Sequence, residues 1–395
     1  MDRYESATDT TTLSRDIQEF FKVREAIGRY FSIDSFHISG ETIRFTFSEM
    51  HGDFTTVSKA FQALGYHPYL RSYGKRNVCV LVRAKHRKSD SYRREIITSW
   101  ILFILTFIST TIAGYWYSIA MVEEALRDTP FIRAFCFSGA LLLILGSHEM
   151  GHKWTSVRNG IDATPPYFIP FPISIIGTLG AVIRIKSPTP DDNAALALGV
   201  SGPFVGFVVS IPFLIAGLLL SPVVQASIFE SQEVAYAMGE PLLFQIAGAA
   251  LLDVPQGYTI YLHPFAFAAW VGLLVTSLNL IPIAQLDGGH IAHALLGHKV
   301  HDILSRILVS VLFAAGAVGF MALFNFFGPE MSREIEKYAW PGWLFWAIFG
   351  FMIVRRGYPK TMNQFCELRP SAWIWGAVAL VMLILCFTPV PIRVM

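Results

Sequence analysis

Residues 141–154 read LLLILGSHEMGHKW, in which five aliphatic side chains run directly into two histidines and a glutamate. Ionisable groups are costly away from water, so this order is typical of one of two structures. Either it is a soluble metalloenzyme helix with an apolar back, or it is a charged site placed inside a membrane. The composition of the remaining chain separates the two.

The composition favours a membrane protein. Of the 395 residues, 53% are hydrophobic and only 15% are charged, whereas a soluble domain has roughly 25% charged residues. The net charge of +2 does not indicate a nucleic-acid partner, and we expect none. The four cysteines lack C-x-x-C spacing, so neither a disulfide framework nor a thiolate zinc site is predicted. The polar N-terminus predicts no cleavable signal peptide.

The first 90 residues predict a separate soluble α+β domain. Apolar spacing indicates helices at 13–31 and 53–64, and β-like runs occur at 35–39, 42–48 and 77–85. No residue pattern in this domain is typical of catalysis. We interpret it as a regulatory cap that binds a regulator or the cytoplasmic region of a substrate.

The chain after this domain predicts a series of membrane crossings. Residues 71–94 contain nine Lys or Arg and precede the uncharged apolar stretch 97–121. A span of about 20 such residues crosses a bilayer, and a basic flank marks its cytoplasmic side. Further spans are predicted at about 131–154, 195–220, 264–285, 305–327, 339–354 and 371–389.

The predicted fold is therefore an all-α polytopic membrane protein of about 6–7 transmembrane helices with a cytoplasmic N-terminal domain. We assign 1–90 to that domain, 91–330 to a membrane-embedded core and 331–395 to additional C-terminal transmembrane helices. The lack of a transit-type N-terminus favours a prokaryotic cell membrane over an organelle.

Residues 165–187 break the pattern, because they are apolar but contain four prolines, Gly177 and Gly180. Non-helical backbone at membrane depth is tolerated beside a cavity, so we predict a re-entrant β-like segment there. The strand-like 181–186 would offer a main-chain edge to an extended substrate, with Gly180 and Arg184 near it. A surface hairpin held at the lipid headgroups by Arg184 and Lys186 is an equally open interpretation.

His148, Glu149 and His152 form the pattern HExxH. Residues four apart share one helix face, so both imidazoles can reach a single metal ion, for which zinc is suited. Glu149 would take the proton of a zinc-activated water and pass it to the leaving amine.

A catalytic zinc site usually has three protein ligands, and Asp287 is the favoured third. It lies at the inner end of span 264–285, on the same side as the inner end of span 131–154, so it can converge with the two histidines. Asp287 could also be a helix N-cap. Asn279 could donate to a peptide oxyanion or serve as interhelical glue.

Two further groups have plainer interpretations. His290, His293, His298 and His301 are expected to be interface or solvent residues, with His290 the exception because it stands three residues from Asp287. The small residues of VSGPFVGF, 200–207, predict close helix packing beside the histidine-bearing helix.

Together, HEMGH, GTLGAVIRIKSP, VSGPFVGF and NLIPIAQLDGGH resemble the site-2 protease family of intramembrane zinc metalloproteases, in the archaeal, cyanobacterial and plastid-type branch without a PDZ domain. The resemblance covers about 131–300 strongly. It implies zinc ligands at His148, His152 and Asp287 and a catalytic Glu149. It also implies cleavage of transmembrane segments of membrane-anchored proteins in the lipid bilayer, which is the chemistry of regulated intramembrane proteolysis.

Two other functions remain as alternatives. Histidines in membrane spans also mark ion pathways, so a metal-ion transporter is possible, although the chain lacks internal repeats. A catalytically silent membrane scaffold is the second alternative, and it predicts broken motifs where these are intact.

Overall fold

The computed structural model describes residues 18, 20–39, 42–74, 76–84, 89–119, 129–227, 236–358 and 361–394. The chain divides into two compact units. The first comprises Met1–Ser91, Pro188–Ala194 and Pro359–Glu367. The second comprises Tyr92–Ser187, Ala195–Tyr358 and Leu368–Met395.

The first unit is built on an antiparallel four-stranded sheet of order β1-β2-β4-β3. Its elements are helix α1 (20–30), β1 (Phe31–Ser39), β2 (Thr42–Met50), α2 (Phe54–Ala63), β3 (Tyr66–Tyr73) and β4 (Arg76–Arg83). In β2 the alternating Ile43, Phe45 and Phe47 are buried, which is the period-two pattern of a strand with one face in the core. The predicted α+β character is present here.

Strand β3 was not anticipated from the sequence. Its segment YHPYLRSY contains a proline and little alternation. Pro68 is accommodated because β3 lies at the edge of the sheet, where a missing N–H costs no ladder bond.

The outer edge of β3 is covered within the first unit by a segment distant in sequence. The Leu70 amide donates to Met362 O at 2.8 Å, and Arg71 donates to the same carbonyl at 3.1 Å. The Met362 amide in turn donates to Thr189 O at 2.8 Å. The unit therefore includes two short segments beyond the predicted 1–90, and they satisfy an edge that would otherwise be open.

The second unit is mostly helical. Its described helices are α3 (Ser89–Ile119, of which Tyr92 onward belongs to this unit), α4 (Pro130–Arg158), α5 (Asp192–Leu219, of which Ala195 onward belongs to this unit), α6 (Leu242–Leu251), α7 (Pro264–Leu280), α8 (Asp287–Leu323), α9 (Pro329–Glu336), α10 (Trp343–Arg356) and α11 (Ser371–Cys386). In the part of this unit that the structure describes, three two-stranded sheets accompany them: β5 (Tyr167–Pro170) with β6 (Thr178–Val182), β7 (Val223–Gln225) with β9 (Tyr258–Ile260), and β8 (Tyr236–Met238) with β10 (Ile392–Val394).

Four of the described helices are long and apolar enough to cross a membrane: Tyr92–Ile119 within α3, α4, α5 and α8. Large apolar side chains on their outer faces are solvent-exposed, among them Trp100, Ile104 and Ile108 on α3, as expected of lipid-facing residues. The prediction of a mostly helical membrane-type protein with a small β-containing N-terminal region is confirmed. Helices α6, α7 and α11 are apolar but shorter.

The predicted span 264–285 is too long. Helix α7 ends at Leu280 because Pro282 disfavours helical backbone in the residue before it and cannot donate an amide hydrogen. Ala284 then adopts a φ of 45°, and α8 begins at Asp287. Helix α8 runs to Leu323 through a break at Gly297, so the separately predicted span at 305–327 is the second part of this bent helix.

The proline-rich stretch forms the hairpin β5–β6, in which Phe168 pairs with Ala181. Gly177 makes its turn with a φ of 81°, and a Cβ there would lie 2.6 Å from the carbonyl oxygen of Ser109 on α3. The Ser109 hydroxyl donates to the Gly177 carbonyl. The hairpin is thus fixed against α3.

Helices α4 and α7 form the centre of the second unit's core. The Phe137 and Phe267 rings stack with centroids 5.0 Å apart, and Trp270 is buried beside Phe267. Gly272 of α7 allows Ile144 of α4 to approach closely, since a Cβ there would lie 2.6 Å from it. This packing holds in place the C-terminal half of α4, which bears the two histidines.

Candidate metal centre

Helix α4 places His148 and His152 one turn apart on the same face. Their Nε2 atoms are 3.1 Å from each other, and both residues are buried, at 3% and 7% exposure. The i, i+4 spacing of the motif therefore brings two ring nitrogens to one point, as the helix period requires.

Asp287, the first residue of α8, completes the cluster. Its Oδ2 lies 3.3 Å from Nε2 of His148 and 3.3 Å from Nε2 of His152. The N-cap position of α8 is Leu286, and no side-chain cap bond is present there. The Asp287 carboxylate is therefore turned towards the histidines, and the N-cap alternative does not describe it.

The donor set fits a zinc ion. A tetrahedral ion with bonds of about 2.0–2.1 Å separates its ligand atoms by roughly 3.3 Å, and the three atoms here are separated by 3.1, 3.3 and 3.3 Å. His152 Nδ1 donates to Leu198 O at 2.9 Å, which leaves Nε2 with its lone pair. Two ring nitrogens and a carboxylate facing one another at such distances are best stabilised by a shared cation. Among the described residues, this is the one group of three such ligands within mutual reach.

Glu149 lies beside these ligands in a cavity of about 200 Å³. It is 5% exposed, and its carboxylate faces the backbone of Ile183, just beyond β6. The cavity wall includes Ala181 and Val182 of the hairpin. The hairpin therefore forms part of the wall of the cavity that Glu149 also lines.

Asn279 lies in the last turn of α7 and also lines this cavity. Its Nδ2 is 3.4 Å from His148 Nε2, so the amide is next to the donor cluster. Donation to a substrate carbonyl and a link between α7 and α4 are both compatible with this position, so the role of the amide stays a prediction.

The small residues of α5 let that helix reach the cluster. A Cβ at Gly202 would lie 2.1 Å from His152 Nε2, and one at Gly206 would lie 3.1 Å from the His148 ring. A Cβ at Gly199 would lie 2.5 Å from the Asp287 carbonyl oxygen. The close packing inferred from the sequence is present, and as a result α5 contacts all three candidate ligands.

Gly180 and Arg184 are placed less directly. Gly180 is within β6 with a φ of 100°, and Arg184 is exposed with its backbone bonded to Thr164. Neither is among the residues that line the cavity, although their neighbours 181–183 and 185 are. Their contact with substrate stays a prediction.

The four histidines of α8 differ in position, because His290 lines the cavity and the other three, His293, His298 and His301, do not. His290 lines the cavity, and its Nδ1 is 2.7 Å from the Tyr358 hydroxyl. His293 and His301 are buried against the Tyr358 ring, and only His298 is exposed. Of the two expected positions, interface and solvent, His293 and His301 therefore take the interface position. Tyr358 has no pattern in the sequence that ties it to this group.

Comparison with known proteins agrees with this geometry. Residues 136–323 match the model of Peptidase family M50. The match includes all three candidate ligands and Glu149, and it confirms the resemblance to the site-2 protease family. No solved structure matches the chain.

Several curated relatives are similar to this chain. "Probable zinc metalloprotease EGY2, chloroplastic" of Arabidopsis thaliana is 32% identical over 234 residues, which cover 54% of this chain and 39% of the relative. "Probable zinc metalloprotease EGY1, chloroplastic" of the same plant is 31% identical over 171 residues, covering 42% and 31%. A third, "Probable zinc metallopeptidase EGY3, chloroplastic", is 28% identical over 246 residues, covering 55% and 42%. The chain thus spans about two fifths or less of these relatives' length.

Proposed function

We propose, from the match of residues 136–323 to peptidase family M50, that this chain is an intramembrane zinc metalloendopeptidase that hydrolyses peptide bonds in transmembrane segments of membrane proteins. One observation carries the proposal. The donor atoms of His148, His152 and Asp287 meet within 3.3 Å of one another, and Glu149 opens into the same cavity. Three ligands and a carboxylate base are the parts of a zinc hydrolase.

His148, His152 and Asp287 would hold the ion. Bound zinc would supply a Lewis acid for the scissile carbonyl and make a nearby water acidic enough to react near neutral pH. The residues do the remaining work. The Glu149 carboxylate accepts a proton from the attacking water and returns it to the leaving amine. The Asn279 amide donates to the carbonyl oxygen as negative charge develops on it.

The substrate binds along the hairpin. Residues 181–183 and 185 line the cavity, and an extended peptide can add to a strand edge there by β-pairing. A transmembrane helix must unwind first, because its peptide groups are hydrogen-bonded within the helix. Gly180 permits the hairpin its bend, and Arg184 contacts the substrate or the lipid headgroups next to this edge.

The arrangement in the bilayer is part of the proposal. We assign about 6–7 crossings, with α7, α10 and α11 joining the four long helices, and a cytoplasmic N-terminal unit that binds a regulator or the substrate's cytoplasmic region. The basic flanks at 71–94 and 355–360 support this orientation. A prokaryotic cell membrane is proposed, while the relatives' names place those proteins in chloroplasts. Protease protection of an N-terminal tag in intact cells measures the orientation.

The test compares the wild type with Glu149→Gln in proteoliposomes that contain a one-span reporter. Gln keeps the shape and cannot accept the proton, so cleavage should fall by about 10²- to 10⁴-fold with zinc content unchanged. Equal cleavage by both proteins refutes the assignment. Zinc entry into wild-type vesicles without any cleavage over a broad panel of reporters supports the transporter instead.

A further inference from the structure

His290 is a second polar group on the same helix face as a candidate ligand. It follows Asp287 by three residues at the start of α8, and residues three apart lie one above the other on a helix. Both line the cavity that also contains Glu149 and Asn279. His290 is not one of the three donors of the metal cluster. Its ring therefore lines the cavity without belonging to the metal-ligand group.

Tyr358 fixes the orientation of this ring. The Tyr358 hydroxyl is 2.7 Å from His290 Nδ1. An imidazole nitrogen is a better acceptor than a phenol oxygen, and the phenol is the better donor, so the O–H donates to Nδ1. The proton of the neutral ring is then on Nε2, at the opposite edge from Tyr358. A bond of this kind selects both the tautomer and the direction of the histidine.

The tyrosine is itself held in place. The His293 ring stacks on it with centroids 3.9 Å apart and an interplanar angle of 17°. The His301 ring meets it edge-on at 5.3 Å. Helix α5 packs against His290 itself, so closely that a Cβ at Gly199 would be 2.9 Å from His290 Cβ. The His290 side chain therefore has little freedom to turn away from the cavity.

We propose that His290 is a further catalytic residue of the proposed reaction, in which its Nε2–H donates a hydrogen bond to the scissile carbonyl oxygen, and that Tyr358 is a positioning residue for it. This inference rests on the proposed peptidase function. It gives the carbonyl oxygen two donors, the Asn279 amide from the end of α7 and the His290 ring from the start of α8. The irregular segment 281–286 between them brings both to the same cavity.

Amide substitutions separate this role from a packing role. In His290→Gln the side-chain amide nitrogen can take the position of Nε2 and still donate. In His290→Asn the amide nitrogen takes the position of Nδ1 and cannot reach the cavity. Loss of one oxyanion donor typically lowers kcat by about 10²- to 10³-fold where the hole is preformed. Because Asn279 remains, we expect a kcat decrease of roughly 10- to 100-fold for His290→Asn.

The experiment measures kcat and KM for a fluorogenic transmembrane peptide in proteoliposomes, together with zinc content and thermal stability. The expected results are a loss of kcat in His290→Asn with KM within about two-fold, recovery in His290→Gln to within about five-fold of the wild type, and an intermediate loss in Tyr358→Phe. Zinc content should stay at the wild-type value in all three. His298→Gln, an exposed position on the same helix, is the matched control and should be unchanged.

The failures are distinguishable. If the wild type cleaves and His290→Asn cleaves equally fast, this inference falls while the proposed function stands. If His290→Asn loses zinc, or if Gln and Asn variants are equally impaired, the residue supports the metal or the packing and the donor role is refuted. If the wild type itself does not cleave the peptide, the proposed function is what fails, and the inference falls with it.

Discussion

The Asp287 carboxylate lies 3.3 Å from Nε2 of His152, although the two residues come from different helices and α5, α6 and α7 lie between them along the chain. The approach depends on where α7 ends. Because the helix stops at Leu280 before Pro282, the chain turns and restarts as α8 with Asp287 in its first turn. The positive end of the α8 dipole also favours a carboxylate at that place.

Asp287→Asn should therefore release the metal. The amide is neutral and offers a weaker ligand, so zinc affinity should fall by more than the roughly 10- to 100-fold that loss of an outer-shell partner costs. Isothermal titration of the detergent-solubilised protein with zinc measures this. Asp302→Asn, which removes only an exposed pair with Arg306 on the same helix, is the control. Full zinc occupancy in Asp287→Asn would remove Asp287 from the metal site.

Gly202→Ala should have a comparable effect through shape alone. The added methyl would lie 2.1 Å from His152 Nε2, on the edge of the ring that faces the other donors. Either His152 or α5 must move, and a helix packed on backbone moves little. We expect a large loss of zinc affinity and of cleavage with the helical content preserved. Gly139→Ala on α4, where a Cβ meets nothing within 4 Å, should leave both unchanged. Wild-type zinc binding in Gly202→Ala would show that α5 does not pack as described.

Much of this site could be predicted because the spacing of its residues along the sequence determines which side chains lie close together. The i, i+4 separation of His148 and His152 requires one helix face, and the topology argument placed Asp287 on their side of the membrane. The hydrophobic runs gave the long helices α3, α4 and α5 to within a few residues at most ends. The small residues near Gly202 indicated packing correctly because only close approach requires them.

The rest depends on groups that have no signature in sequence. The Leu198 carbonyl that orients His152 and the Ile183 backbone that Glu149 faces are main-chain groups, which every residue type carries. Tyr358 reaches His290 through the tertiary fold, from beyond α10. Strand β3 was missed because its proline and weak alternation give no strand pattern, although it pairs with the neighbouring β4 and, at Leu70, with residues 362 and 364.

Asn279→Leu should lower the rate of cleavage without lowering zinc binding. The side chain is next to His148 but is not one of the three donors, so zinc content should not change. Loss of the amide removes a donor to the carbonyl oxygen, and kcat should fall by roughly 10²-fold with a smaller change in KM. The measurement is single-turnover cleavage of the reporter at saturating enzyme. A change confined to KM would assign Asn279 to substrate packing.

Arg71→Met should loosen the covered edge of β3 in the first unit. The guanidinium donates to the carbonyls of Leu70 at 2.7 Å, Met362 at 3.1 Å and Thr361 at 2.7 Å. Hydrogen bonds from a charged group contribute about 1.5–3 kcal/mol each when buried, and this side chain is only half-buried, so we expect a local loss of about 2 kcal/mol.

The Leu70 amide reports that loss, because it donates to Met362 O across the same edge. Local opening governs its hydrogen exchange, and about 2 kcal/mol corresponds to an exchange rate roughly 30-fold faster. In Arg71→Lys the exchange rate of the Leu70 amide should lie between those of the wild type and Arg71→Met, because one ammonium group cannot bond to three carbonyls as a guanidinium does. Arg76→Met, at an exposed position at the start of β4, is the matched control. Unchanged exchange at Leu70 in Arg71→Met would mean that the strand pairing with residues 361–364 holds without the arginine, and that this charge does not fasten the edge.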